Sequence, residues 1–463
     1  MKARKALEAL RVIGMDGTVA YTFLARMVNI AGSTGTVLLI AHFLSPVEQG
    51  YYYTLLSLVA LQMVFELGFS FVIQQLAAHE CVHLELKADG SVSGDPVAHA
   101  RLASALKLSL LWYSLAAAAM GLILAPLGWV FFARHADAQA AQVAWQGPWF
   151  AAVGASVVGL WCTPFYSFLE GCGQVRAVAS MRLRQAAATS VCAWAPLLLH
   201  RGLYSPALAI VGYVGAGLLF LTTRRHLLTG LLRHSSSAAA IRWEREVWPF
   251  QWRIAVSWMS AYFTAQVLIP IVFVSRGPLE AGQMGMSLSI TGYMTILALT
   301  WTSTKTTPFG RMIARREFQG LDRLFLRTLV QSLAVFFLIA LAACGVAASL
   351  PAIAPALAAR MVSPRWFAVL ALTAGANCVV QSLAILLRSF KSEPFLAQSL
   401  VVALLTLLLA ALTAPRWGNA GVTLSYLAAT AIIGLPFATA IFARARCSYL
   451  AVDALETRAI EAG

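Results

Sequence analysis

The chain has 463 residues, 60% hydrophobic and only 11% charged, with a formal net charge of +15. A soluble domain carries about a quarter charged residues, so this composition excludes one, and no hydrophilic stretch is long enough to form one separately. The basic excess suggests nucleic acid at first sight, but its distribution along the chain argues for a membrane surface instead.

About twelve stretches of roughly 20 apolar residues are each long enough to cross a bilayer as a helix. They lie near 18–43, 51–78, 102–132, 148–169, 178–199, 204–222, 248–274, 280–304, 326–349, 364–388, 394–413 and 419–442. The expected fold is an all-α polytopic membrane protein, with about 12 transmembrane helices in two six-helix bundles. The expected division is an N-terminal bundle over 1–222, a cytoplasmic interfacial linker over 223–247 and a C-terminal bundle with a short tail over 248–463.

The basic N-terminus resembles a signal peptide, but the apolar stretch after it is too long for a cleaved one, so span 1 is expected to be retained. Span 1 carries Thr22, Arg26, Asn29, Ser33 and Thr36 at steps of four, three, four and three, which places them on one helical face. Such a face belongs against protein or a water-filled cavity, with a snorkelling Arg26 as the plainer reading. A Pro-Gly turn follows at Ser45–Gly50, and span 2 then carries Gln62, Glu66, Gln74 and Gln75. Ionisable groups inside a span mark functional paths, so Glu66 is a candidate coupling or gating residue. Pairing with Arg26, proton coupling and a purely structural tie all stay open for it.

Between spans 2 and 3, His79-Glu80-Cys81-Val82-His83 matches the H-E-x-x-H zinc motif. No partner motif supplies a third ligand, Asp89 and Asp95 lie in a polar loop, and an interfacial helix end outweighs an intramembrane metalloprotease. No metal is expected. Lys107 lies about one turn inside span 3. The seven cysteines form no CxxC pair and read as small membrane hydrophobes rather than a disulfide framework. Span 4 ends in the small charged turn Leu169–Gln174, and span 10 in Leu387–Ser392. The linker interleaves Arg224, Arg225, Arg233, Arg242 and Arg245 with leucines and tryptophans, as an interfacial helix does.

The second half repeats the first. Arg253, Ser257, Ser260 and Thr264 reproduce the spacing of span 1 about 231 residues later, and Gly277–Gly282 reproduces the first turn about 232 residues later. Each half holds an even number of spans, so the expected halves share one orientation about a pseudo-two-fold along the membrane normal, with a substrate path between them. Glu66 has Ala298 as its counterpart, so the acid breaks the repeat. Lys305 closes span 8. Counted from span to span, about 27 of the 34 Lys and Arg residues fall on one side. By the positive-inside rule both termini are then cytoplasmic.

The turn LSPVEQGYYYTLLSLVALQMVFELGFS, the later GPLEAGQMGMS and the small turn FLEGCGQV resemble the Wzx-type polysaccharide flippases of the multidrug/oligosaccharidyl-lipid/polysaccharide (MOP) superfamily. The resemblance implies a bacterial inner-membrane protein that moves an undecaprenyl-pyrophosphate-linked oligosaccharide from the cytoplasmic to the periplasmic leaflet through a cationic cavity. By position its cations are Arg26, Lys107, Arg253 and Lys305, with Thr22, Asn29, Ser33, Gln62, Ser257, Ser260 and Thr264 as polar lining. Arginine offers phosphate a two-pronged contact and lysine a point charge. No cofactor is expected, and a proton or sodium ion is the candidate coupling ion. Expected partners are the lipid-linked oligosaccharide, anionic lipids and other polysaccharide-assembly proteins, without nucleic acid. A multidrug-type cation exporter of the same superfamily is the runner-up, although it should show more intramembrane acids. A teichoic-acid or lipid-II type translocase also stays open. A membrane glycan polymerase or acyltransferase is the enzymatic alternative; the short outer connections, and His42 and His200 at span ends, weigh against it.

Overall fold

The computed structural model describes residues 17–86, 92–135, 143–233, 248–390 and 393–461. The basic N-terminal residues Lys2 to Arg11, Lys87, Asp89, Arg242, Arg245 and Lys391 lie outside them, as do the side chains of Arg253 and Ser257. Among the described residues the only strands are β1 (Leu84–Leu86) and β2 (Val92–Gly94), an antiparallel pair. The expected all-α polytopic architecture is the one the chain adopts, and among the described residues 7 helices, or 8 with one bent pair, are long and apolar enough to cross a membrane.

Among the described residues, nine of the predicted spans satisfy length and apolarity. Six do so as separate helices, span 2 as a bent pair, and spans 11 and 12 together as one run over Leu396–Tyr449 that is kinked at Gly418. The other three have physical reasons to fall short. Span 5 carries Arg176, Arg182, Arg184 and Gln185, span 7 is interrupted, and span 8 is rich in Ser, Thr and Gly. A helix flanked by protein needs little apolar surface for lipid.

Contacts divide the chain into two units, Met1–Glu48 with Leu58–Ala255, and Gln49–Ser57 with Val256–Gly463. The first contains α1 (Gly17–Phe43), the end of α2 (Pro46–Val59), α3 (Gln62–Glu66), α4 (Phe69–Cys81), α5 (Pro96–Arg134), α6 (Gln146–Gly171), α7 (Val175–Leu198), α8 (Ser205–Thr223) and α9 (Arg225–Arg233). Asp95 caps α5 by accepting from the Val97 and Ala98 amides at 3.2 Å each, with Pro96 in the first turn where its missing N–H costs nothing. Its buried seam runs Leu106, Ser109, Tyr113, Ala117, Met120 and Leu124, the three-and-four spacing of one helical face. Helix α7 packs between α1 and α8. Gly32 and Gly35 of α1 admit Ser190 and Trp194 of α7, where any Cβ would collide, and Trp194 Nε1 donates to Thr36 Oγ1 at 3.0 Å. In α9, Leu227, Leu228 and Leu231 are buried against the bundle.

The second unit contains α10 (Trp248–Ala265) from Val256 on, α11 (Leu268–Arg276), α12 (Pro278–Ser303), α13 (Thr306–Ala314), α14 (Phe318–Ile353), the single turn α15 (Pro355–Ala358), α16 (Pro364–Arg388), α17 (Leu396–Leu427), a π-helical segment Ala428–Gly434 and α18 (Leu435–Glu461). Helices α12, α14 and α16 bury Met294, Ala298, Phe336, Ala371, Ala374 and Cys378 together. Toward the other ends of α14 and α16, Phe309, Leu321, Phe325, Leu386 and Phe395 form a second cluster. There Arg446 grips Asp322 through two bonds of 2.7 and 2.6 Å.

Gln49 to Ser57 of the first repeated turn pack within the second unit. Gly50 lies so close to the Pro278 backbone that no side chain fits, Tyr53 covers Gly285, and Tyr51 meets Phe273 edge-on at 5.1 Å. The buried Gln49 amide donates to the carbonyls of Gly282 and Arg360 at 2.9 Å each and accepts from the Arg360 guanidinium at 3.3 Å.

Candidate functional site

Span 2 is not the continuous helix expected over 51–78. After α2 the chain turns at Ala60–Leu61 and forms the short α3, then passes through Leu67 at φ 53° and Gly68 at φ 64° before α4. The legs Pro46–Glu66 and Phe69–Cys81 meet at 42°. Gly68 adopts left-handed backbone freely, whereas Leu67 does so at a cost of about 1–2 kcal/mol. Such local strain is typical of functional sites.

Glu66 is the last residue of α3, directly before this break, and it is half-buried. The Tyr113 hydroxyl of α5 donates to Glu66 Oε1 at 3.4 Å, and Ser70 on α4 is a second hydrogen-bonding neighbour. Tyr113 is fully buried, and its ring stacks on Phe69 at 6.1 Å with 17° between planes. The carboxylate and both sides of the break are thus tied to one rigid helix. Gln62, also half-buried, starts α3 one turn earlier. Deeper in the same unit Gln185 is buried, and its Nε2 donates to the Tyr213 carbonyl at 3.2 Å. Sequence reasoning missed Ser70, Tyr113 and Gln185, because a neutral polar side chain in an apolar helix carries no charge signature. The Gly68 in FELGFS was the available sign of the break.

The stripe of α1 divides by depth. Thr22 and Asn29 are exposed and Arg26 and Ser33 half-buried, while Thr36 is bonded to Trp194. Leu24, Ala31 and Leu38 are exposed about 140–180° around the helix from Thr22 and Asn29. Helix α1 therefore has two open faces, one polar and one apolar. Lys107 is exposed and shares its helical face with exposed Leu111, Ala118 and Leu122. In the second unit Lys305 is half-buried between α12 and α13. Ser260 and Thr264 turn their hydroxyls to the carbonyls one helical turn back, at 2.8 Å each.

The H-E-x-x-H residues do not share a helical face. Helix α4 stops at Cys81, so His83 lies beyond it, and buried Glu80 accepts from Arg101 Nε at 2.8 Å. Asp95 is occupied as the cap of α5. Among the described residues no group of three or more His, Cys, Asp or Glu side chains is placed to hold a metal ion.

The long apolar helices and the interrupted second span define the class as an all-α polytopic membrane fold. No family of sequences and no curated protein matches the chain. Solved structures do match. An inward-facing multidrug resistance MATE family transporter of the MOP superfamily superposes with a TM-score of 0.59 over 91% of this chain and 98% of its own, at 12% identity. Lipid II flippase MurJ in an inward closed conformation gives 0.56 over 94% and 90%, at 13% identity. The Vibrio cholerae MATE transporter VcmN in its bent form gives 0.56 over 94% and 98%, at 14% identity. At these identities the likeness is one of fold, held in common by proteins described as a drug transporter and a lipid flippase.

Proposed function

We propose that this chain flips an undecaprenyl-pyrophosphate-linked oligosaccharide from the cytoplasmic to the periplasmic leaflet of a bacterial inner membrane, by alternating access and with both termini cytoplasmic. The observation that carries the reading is the polar face of α1. Arg26 lies there between exposed Thr22 and Asn29, while lipid-compatible Leu24, Ala31 and Leu38 occupy the opposite face. An arginine on an open polar face is suited to a pyrophosphate, whose oxygens it meets in pairs. Arg253, Lys107 and Lys305 are the further cations of this proposal, and Glu66 is its coupling or gating group, with a proton or sodium ion as the driving ion. Similarity of fold to a lipid II flippase supports flipping of a lipid-linked glycan; similarity to MATE transporters supports the drug-exporter alternative equally at the level of fold.

The test is to delete the gene and identify which lipid-linked glycan accumulates on the cytoplasmic side. Complementation with Arg26→Ala or Arg253→Ala should leave protein abundance unchanged and impair export, and Arg→Lys should restore it partly. Unchanged glycan export by both alanine variants, or drug sensitivity without glycan accumulation in the deletion strain, would overturn the reading.

A further inference from the structure

The central cysteine of the H-E-x-x-H segment has a neighbour. Cys81 ends α4, and Cys172 follows the last residue of α6. The two thiols lie within interaction range of each other across the junction of these helices. Gly171 is the reason they meet. A Cβ at Gly171 would run into the Gln74 carbonyl and the Ala77 methyl, so α6 ends flush against the α4 backbone one turn before Cys81. The turn after Gly171 fixes the register. The Cys172 amide donates to the Phe168 carbonyl at 2.9 Å, the Gln174 amide to the Leu169 carbonyl at 3.0 Å, and Gly173 takes φ 79°. A disulfide requires the two backbones to approach within a narrow range, and the glycine contact brings the end of α6 against α4 one turn from Cys81. The two sites differ in access: Cys81 is partly exposed, whereas Cys172 is buried.

We propose that Cys81 and Cys172 are a reversible redox pair, with Cys81 the sulfur that meets a peroxide and Cys172 the one that resolves it. Cys81 attacks the peroxide O–O bond, which breaks to give a sulfenic acid on Cys81 and one water from hydrogen peroxide. Cys172 then attacks the Cys81 sulfur, expels the hydroxyl as a second water and closes the disulfide. Two thiols lose two electrons and two protons, and the peroxide takes them. A thiol reductant reverses the reaction by exchange. The bond would fasten α4, the inner leg of the broken span, to the end of α6. Transient pairs of this kind are the ones that occur on the reducing side of a membrane.

The test treats the full-length protein in detergent with hydrogen peroxide, followed by proteolysis and mass spectrometry. The expected product is a linked pair of peptides containing Cys81 and Cys172, lighter by two hydrogen atoms and separated again by dithiothreitol. In Cys172→Ser, a sulfenic-acid probe should label Cys81 and further oxidation should accumulate there; in Cys81→Ser, Cys172 should stay reduced. The wild-type product alone decides the matter if either variant folds poorly. Sulfinic acid on wild-type Cys81 without a linked peptide, or linkage of either residue to another cysteine, would overturn the proposal.

Discussion

Pro46–Cys81 and Pro278–Ser303 start from the same Pro-x-Glu turn, and each turn uses its glutamate differently. Glu48 caps its own helix: its carboxylate accepts from the Ser45 amide at 2.8 Å while Ser45 Oγ accepts from the Glu48 amide at 3.1 Å. Glu280 reaches outward, pairing with Arg276 at 3.1 Å and accepting from the Asn419 amide at 3.0 Å. That second contact holds the kink at Gly418, whose φ is 53°. Farther along, span 2 breaks at Leu67–Gly68 beside Glu66, whereas α12 runs unbroken and buries the corresponding Ala298 completely. The same pattern therefore yields a bent, polar element in one half and a rigid core helix in the other. The difference lies in what each helix packs against.

Exchanging the acid between the two spans is the strongest way to break this comparison. Ala298→Glu places a carboxylate among Met294, Phe336 and Cys378, and detergent unfolding should show a loss of about 3–5 kcal/mol, the cost of a buried uncompensated charge. The reverse change, Glu66→Ala, should cost about 1 kcal/mol for the lost Tyr113 hydrogen bond. Equal losses would mean that the two positions are equally buried in function. Gly50→Ala comes next, since it drives a methyl group into the Pro278 backbone; about 1–3 kcal/mol should be lost. Gly292→Ala in α12 meets open space and should instead gain up to about 1 kcal/mol from helix propensity.

The two turn glutamates sharpen the comparison further. Glu280→Ala should cost about 2 kcal/mol through its charged hydrogen bonds, and Glu48→Ala about 1 kcal/mol through its cap, both read from thermal unfolding. If Glu48→Ala proved the more costly, the outward reach of Glu280 would carry no weight. Glu66→Gln has the smallest effect on stability, within about 1 kcal/mol, because the amide oxygen still accepts from Tyr113. Its effect should appear in transport and in the pH dependence of transport. Unchanged flux and an unchanged pH profile would leave Glu66 a structural role alone.

Composition, span length and the even number of spans per half were sufficient to establish an all-α polytopic fold, because a bilayer admits few backbone solutions. Glu66 also stood out in the sequence, as any acid in an apolar run does. The sequence did not reveal that Gln49–Ser57 packs with the second unit, because fitting Gly50 to Pro278 and Tyr53 to Gly285 pairs residues more than 200 positions apart. The break at Leu67–Gly68 had Gly68 as its one local sign, but leucine in left-handed backbone has no local preference to betray it, and packing by Phe69 and Tyr113 holds it there. The meeting of Cys81 and Cys172 follows from a glycine contact between α4 and α6, and neither cysteine has a neighbour in sequence that would suggest it. Periodicity and polarity act along the chain and can be read from it. Side-chain partners across helices depend on the shapes of both surfaces, and tertiary packing alone decided those.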